Sequence, residues 1–194
     1  VLDLSRDEVC EYVINAVSDI LANANIEYVK WDMNRQLTDM PRLGYNHEYT
    51  LCYYKIMSAI TEKFPNILFE GCSAGGGRFD AGVLAYMPQI WTSDNSDAIA
   101  RLKMQYSTSM CYPVYSISSH VTASPNHQCG RVTSLKTRAD VAYCGTFGYE
   151  LDVTKMSDEE FEEIKAQIEF EKRIQDLMCN GDLYRLINPY ETNY

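Results

Sequence analysis

Apolar residues recur at helical spacing near the start of the chain, at Val9, Tyr12, Val13, Ala16, Val17, Ile20 and Leu21, and form one stripe. Ser5-Arg6-Asp7-Glu8 ahead of them has the spacing of a capping box, with Ser5 as N-cap. Residues 26–32 read as a strand, and a helix follows from about 49 to 63, ending before Pro65. Residues 67–72 read as a buried strand bounded by Pro-Asn before it and Gly-rich chain after it. A short helical piece covers 82–86, and a strand covers 89–94. Ser96 can cap a helix from 97 to about 107. Residues 114–121 are β-branched and alternating, which predicts a strand; 134–143 read as helix and 146–153 as the last strand. Ser157-Asp158-Glu159-Glu160 is a second capping box and opens a long helix to about 179, stopped by Gly181.

Strands alternating with helices mean βαβ units and a parallel sheet. About five strands are legible, whereas a closed (β/α)₈ barrel takes eight in ~250 residues. The pattern therefore predicts an α/β fold, either a small open sheet or a piece of a barrel. Residues 1–180 form the strand–helix domain, and 181–194 read as a linker.

Charge narrows the function. Of 194 residues 27 are acidic and 17 basic, a net charge of −10, which argues against nucleic acid because phosphate binding draws on clustered Lys and Arg. No apolar run approaches the ~20 residues that span a bilayer, so no membrane segment is expected. The opening Val1-Leu2-Asp3-Leu4 lacks a basic and an apolar leader region, so no signal peptide is expected, and without an initiator Met the chain reads as processed or truncated. The seven cysteines stand alone with no C-x-x-C spacing, which speaks against a zinc site or a disulfide framework. Free thiols fit a reducing compartment, the cytoplasm by default.

Candidate chemistry gathers at strand ends. Residues two apart in a strand share a face, so Lys30 and Asp32 point one way and Val29 and Trp31 the other. Leu68, Glu70 and Cys72 share a face, as do Ile90, Thr92 and Asp94. Parallel α/β folds place active sites at the C-terminal strand ends, where two carboxylates, an ammonium and a thiol then converge. Asp94 has a bland alternative as an Asx turn, and Asp97 as a first-turn helix residue. Asp32 is costly to bury unpaired, and Lys30 serves either as its neutraliser or as a cation that keeps a catalytic carboxylate ionised. Gly75-Gly76-Gly77-Arg78 is either an anion cradle or a tight turn. Asp94-Asn95-Ser96-Asp97 lacks the glycine of a calcium loop, and His120 and His127 have no third ligand, so no metal site is expected.

Four segments resemble glycoside hydrolase family 36, the clan D α-galactosidases or melibiases. Tyr28-Val29-Lys30-Trp31-Asp32-Met33-Asn34-Arg35 is similar to the family's nucleophile strand. Phe69-Glu70-Gly71-Cys72-Ser73-Ala74-Gly75-Gly76-Gly77-Arg78-Phe79-Asp80 resembles its next signature. Trp91-Thr92-Ser93-Asp94-Asn95-Ser96-Asp97-Ala98 resembles its acid/base segment, and Ser119-His120-Val121 through Pro125-Asn126-His127-Gln128 a fourth stretch. Order and spacing agree along nearly the whole chain.

The resemblance implies a TIM (β/α)₈ barrel of which this chain is the C-terminal part, about strands four to eight. It implies a retaining hydrolase that releases terminal α-galactose from melibiose and raffinose-type α-galactosides. Asp32 is then the nucleophile and Asp94 the general acid/base. Lys30, Asn34, Cys72, Ser73 and Gly75 match positions that line the galactose subsite, with Cys72 at the axial 4-hydroxyl. Gly71 and Ala74 stand where relatives often show Ser and Gly. Retention takes two carboxyls roughly 5–5.5 Å apart, with Asp94 protonated while Asp32 attacks, and no metal or organic cofactor. Relatives also transfer galactose or remove N-acetylgalactosamine. The resemblance places an acidic pair, a Trp and an Arg of the subsite on earlier strands outside this sequence. A half-barrel leaves open sheet edges, so a self-associating chain of weak or no intrinsic activity is the alternative expectation.

Overall fold

In the computed structural model, which describes residues 2–191, the chain divides into two units at Pro88 and Gln89. The first holds helix α1 (Asp7–Asn23), strand β1 (Tyr28–Asp32), helix α2 (Tyr45–Lys63) and strand β2 (Leu68–Cys72). β1 and β2 are parallel, with Tyr28 opposite Leu68, Lys30 opposite Glu70 and Asp32 opposite Cys72. α2 buries Tyr45, Tyr49, Tyr53, Ile56, Met57 and Ile60, one face at steps of three and four. It starts four residues earlier than its sequence suggests, because Tyr45 extends that stripe and Gly44, at φ 82°, supplies the left-handed turn before it. Phe69 of β2 is buried in the core of the chain, and Trp31 of β1 lines a cavity of about 490 Å³ with Val13, Tyr49, Tyr53 and Ile56.

The expected Ser5 capping box does not form. Ser5 donates its hydroxyl to Asp3 Oδ1 at 2.6 Å instead of accepting from the helix, and Glu8 pairs with Arg6. A carboxylate two residues away is a stronger acceptor than a serine oxygen, so the hydroxyl turns toward it. Arg6 is left as an N-cap without a side-chain bond. The stripe is also narrower than its sequence implies: Cys10, Ser18 and Leu21 are buried, while Tyr12 and Ile20 face solvent.

The second unit holds β3 (Gln89–Trp91), α3 (Ala98–Thr108), β4 (Ile117–Thr122), α4 (Leu135–Ala142), β5 (Thr146–Glu150) and α5 (Asp158–Asn180). β4 pairs parallel with β3 on one side and β5 on the other. Val121, Leu135, Ala139, Ala142 and Ile164 form its core, with Phe147 and Tyr149 packed against them. The α5 capping box is present as read: Ser157 accepts from the Glu160 N–H, and the Glu160 side chain accepts from the Ser157 N–H.

Four readings of this unit need correction. β5 ends at Glu150 and not at 153, where a 3₁₀ turn over Val153–Lys155 follows. β3 ends at Trp91, not at 94, because Arg101 binds the next segment: Nη2 donates to the Ser93 carbonyl at 2.7 Å and Nε to the Asn95 carbonyl at 3.0 Å. Those carbonyls are therefore satisfied by a side chain and not by a ladder. The proposed common strand face of Ile90, Thr92 and Asp94 lapses with it. Asp97, not Ser96, caps α3, accepting from the Ala100 N–H at 3.0 Å. Residues Val114–Ser116 form a 3₁₀ turn, which the Ser116 hydroxyl closes on the Pro113 carbonyl at 2.6 Å, so β4 starts only at Ile117.

The segment read as a linker, 181–194, is described as far as Glu191; its last three residues lie outside the described residues. The described part follows α3. Arg185 donates to Ser109, the Tyr190 hydroxyl pairs with Ser107 at 2.7 Å, and Lys103 sits over the Tyr190 ring.

Candidate active site

At the C-terminal ends of β1 and β2 the parallel register sets three layers of one face side by side. The last layer is Asp32 with Cys72, and the layer before it is Lys30 with Glu70. Asn34, two residues past the strand, donates Nδ2–H to Asp32 Oδ2 at 2.9 Å. Its Oδ1 accepts from the Ala74 N–H at 3.0 Å, so the amide is fixed at both ends. The Met33 N–H donates to the Cys72 carbonyl, and the Ser73 hydroxyl donates to the Met33 carbonyl at 2.8 Å. The two strand ends thus continue as one cross-braced loop pair. Lys30, Asp32, Asn34, Cys72, Ser73 and Gly75, six of the seven positions singled out in the sequence, all belong to it.

Burial pushes the Cys72 thiol up to about 11, with the neighbouring Asp32 carboxylate adding to the shift and a backbone contact from Gly75 opposing it. Cys72 is therefore a neutral thiol at pH 7, able to donate beside a carboxylate. Lys30 does not simply neutralise Asp32. Its ammonium lies 3.6 Å from Glu70 Oε1, and the Glu70 carboxylate is 1% exposed. The second Glu70 oxygen accepts from the Tyr28 hydroxyl. Sequence reasoning placed Glu70 on this face but gave it no role; a carboxylate inside a buried strand was the available signal.

The glycine run is built as a turn. Ala74 at φ 47° and Gly75 at φ 82° are both left-handed, which costs about 1 kcal/mol in a residue with a Cβ. A Cβ at Gly77 would lie 2.6 Å from the Ser73 carbonyl oxygen, so no larger residue fits. Arg78 turns away from any cradle: it donates to the Cys72 carbonyl at 3.1 Å and lies over the Tyr53 ring at 4.8 Å.

Asp94 belongs to the second unit, in the loop between β3 and α3, and its side chain is exposed. The loop beneath it is tightly held. Gln128 clamps both sides, donating to the Asp94 carbonyl at 2.7 Å and accepting from the Ser96 N–H at 2.9 Å. Ser96 also accepts from Asn126 Nδ2 at its hydroxyl and from the Thr122 hydroxyl at its carbonyl, each at 3.0 Å. Arg131 pairs with Asp97 at 3.1 Å. Arg101, 4% exposed, adds Nη1 to Thr92 Oγ1 at 2.8 Å and stacks on Trp91 at 3.7 Å. His120 stacks on Trp91, with ring centroids 4.6 Å apart, and its Nδ1 lies 3.3 Å from Glu150 Oε2. His127 is exposed. Among the described residues no group of three His, Cys, Asp or Glu could hold a metal ion, and no helix is long and apolar enough to cross a membrane.

The Arg101 fork makes a testable demand. Arg101→Lys keeps the charge but cannot satisfy Thr92, Ser93 and Asn95 together. It is expected to cost about 2 kcal/mol, and Arg101→Ala about 3–5 kcal/mol, since buried carbonyls lose their donors. Urea unfolding measures both; equal stability of the Lys variant and the parent would show that the fork is dispensable.

The melibiase family profile matches residues 1–181. α-Galactosidase AgaA of Geobacillus stearothermophilus is 52% identical over 100% of this chain and 28% of its own length. A crystal structure of an AgaA variant in complex with raffinose superposes with a TM-score of 0.96, and one in complex with stachyose with 0.94, each covering 100% of this chain and 28% of that one. The chain thus spans just over a quarter of the length of these relatives, and its parallel strand–helix units match part of a TIM barrel. Four signature segments, the braced loop pair around Asp32 and identity along the full length lead to one assignment: the chain belongs to the melibiase family, the α-galactosidases of glycoside hydrolase family 36.

Proposed function

We propose that the protein bearing this chain is a retaining α-galactosidase acting on raffinose-type oligosaccharides, and that the chain supplies strands four to eight of its barrel. Asp32 attacks the anomeric carbon while Asp94 gives its proton to the leaving oxygen. A galactosyl ester on Asp32 results. Asp94, now a base, takes a proton from water, which releases the sugar with its configuration retained. The observation that carries this reading is the setting of Asp32. Asn34 occupies one lone pair of its Oδ2, Cys72 stands opposite as a neutral donor, and Lys30 lies one layer away. Such a carboxylate is held in one orientation beside a cation, as a nucleophile must be.

Lys30, Asn34 and Cys72 line the galactose subsite in this reading. Ser73 donates to Met33 but keeps its lone pairs to accept from a sugar hydroxyl, and Gly75, whose carbonyl accepts from the Ser73 N–H at 2.8 Å, brings no side chain into the subsite. The crystal structures of AgaA variants in complex with raffinose and with stachyose support the substrate class. The test is stereochemical and uses a protein with the whole catalytic domain. Proton NMR during hydrolysis of an aryl α-galactoside is expected to show α-galactose first, with the β-anomer rising only by mutarotation. Initial release of the β-anomer would overturn double displacement.

A further inference from the structure

Glu70 is the one carboxylate on the β1–β2 face that the reaction as proposed does not use. Interior layers of such barrels are filled by apolar branched side chains, and a buried carboxylate is destabilising unless paired. Glu70 is 1% exposed, so its presence calls for a partner. Two partners come from β1, on the same face. The Tyr28 hydroxyl donates to Oε2. Oε1 makes no hydrogen bond among the described residues, and the Lys30 ammonium lies 3.6 Å from it. Tyr28 thus sets the rotation of the carboxylate, and that rotation turns the second oxygen toward Lys30. Lysine is a point charge on a flexible four-carbon stem, and 36% of this side chain is exposed. Glu70 supplies that ammonium with a counter-charge fixed in the strand, which narrows the positions open to it.

We infer that Glu70, oriented by Tyr28, is a positioning residue that holds the Lys30 ammonium in the layer next to Asp32 and Cys72. The inference rests on the proposed role of Lys30 in the sugar subsite. Glu70 touches no substrate; it acts through Lys30. The direct register pairing of Lys30 with Glu70, one step before Asp32 with Cys72, makes the effect local to the subsite.

The test is a double-mutant cycle on a protein with the whole catalytic domain. Glu70→Gln keeps shape and an acceptor for Tyr28 but removes the charge. It is expected to lower kcat/KM for an aryl α-galactoside by about tenfold to a hundredfold, the range for a lost charge-assisted contact, with KM rising at least as much as kcat falls. In a Lys30→Met background the same change is expected to have less than about a threefold effect, because the residue it acts through is gone. Equal losses in both backgrounds, or wild-type kinetics for Glu70→Gln, would overturn the proposal. Should Glu70→Gln fail to fold, Tyr28→Phe is expected to lower kcat/KM by about threefold to tenfold in the same parameters, and wild-type behaviour there would also overturn it. Azide rescue of Asp32→Ala, run alongside, separates the two readings. Rescue with an inert Glu70→Gln removes only the role of Glu70; no rescue removes the nucleophile reading itself.

Discussion

Asp32→Ala, made in a protein with the whole catalytic domain, is expected to lower kcat/KM for an aryl α-galactoside by about four to six orders of magnitude, the scale seen when a covalent nucleophile is removed. The loss should be chemical and not structural. Asn34 stays anchored by the Ala74 N–H, and Met33 and Ser73 still brace the loop pair, so the pocket keeps its walls. Alanine leaves a gap of about the size of a small anion beside the Lys30 ammonium. Sodium azide is therefore expected to restore turnover and to leave as β-galactosyl azide, identified by mass and NMR. Asp32→Asn fills the gap and should lose activity without rescue. A variant that retains even a tenth of parent activity would exclude Asp32 as nucleophile.

Asp94→Ala has the second-largest expected effect, and its signature lies in the leaving group. A dinitrophenolate leaves without a proton, so the first step on such a substrate should stay within about tenfold of the parent. Raffinose needs that proton, and kcat/KM for it should fall by about a hundredfold to ten-thousandfold. Hydrolysis of the galactosyl ester should slow as well, giving a burst of phenolate that azide converts to steady turnover. Equal losses for both substrates would deny Asp94 the acid role. The frame beneath it argues for its being read this way. Gln128, Thr122 and Arg101 hold the loop through its backbone atoms and Asn126 through the Ser96 hydroxyl, leaving the Asp94 side chain exposed.

The alternation of strands and helices was legible because the body of each element follows one period, as the α2 stripe from Tyr49 to Ile60 does. Element ends were less legible. At Ser5 a nearby Asp3 competed for the hydroxyl, and past β3 the Arg101 side chain, from the following helix, took over the Ser93 and Asn95 carbonyls that a ladder would otherwise hold. Local propensity carries no record of either. The β1–β2 part of the site was legible for a similar reason: strand alternation alone puts Lys30 with Asp32 and Glu70 with Cys72. The Lys30–Glu70 pairing needed the register of two strands, which a single strand's pattern does not contain. The Asp94 loop was legible as a motif but not as an architecture, since its brace comes from residues 122–131.

That brace ties two segments of chain into one heritable unit. Gln128 and Thr122 satisfy the backbone of residues 94–96, and Asn126 and Arg131 pair with the side chains of Ser96 and Asp97, so the first stretch does not keep its shape if the second is exchanged. Chimaeras of these enzymes that swap only one of the two loops should emerge misassembled, whereas a joint transplant carries its own scaffold. Variation in either stretch is thereby channelled into paired changes, and a library that varies one would do best to vary both at once.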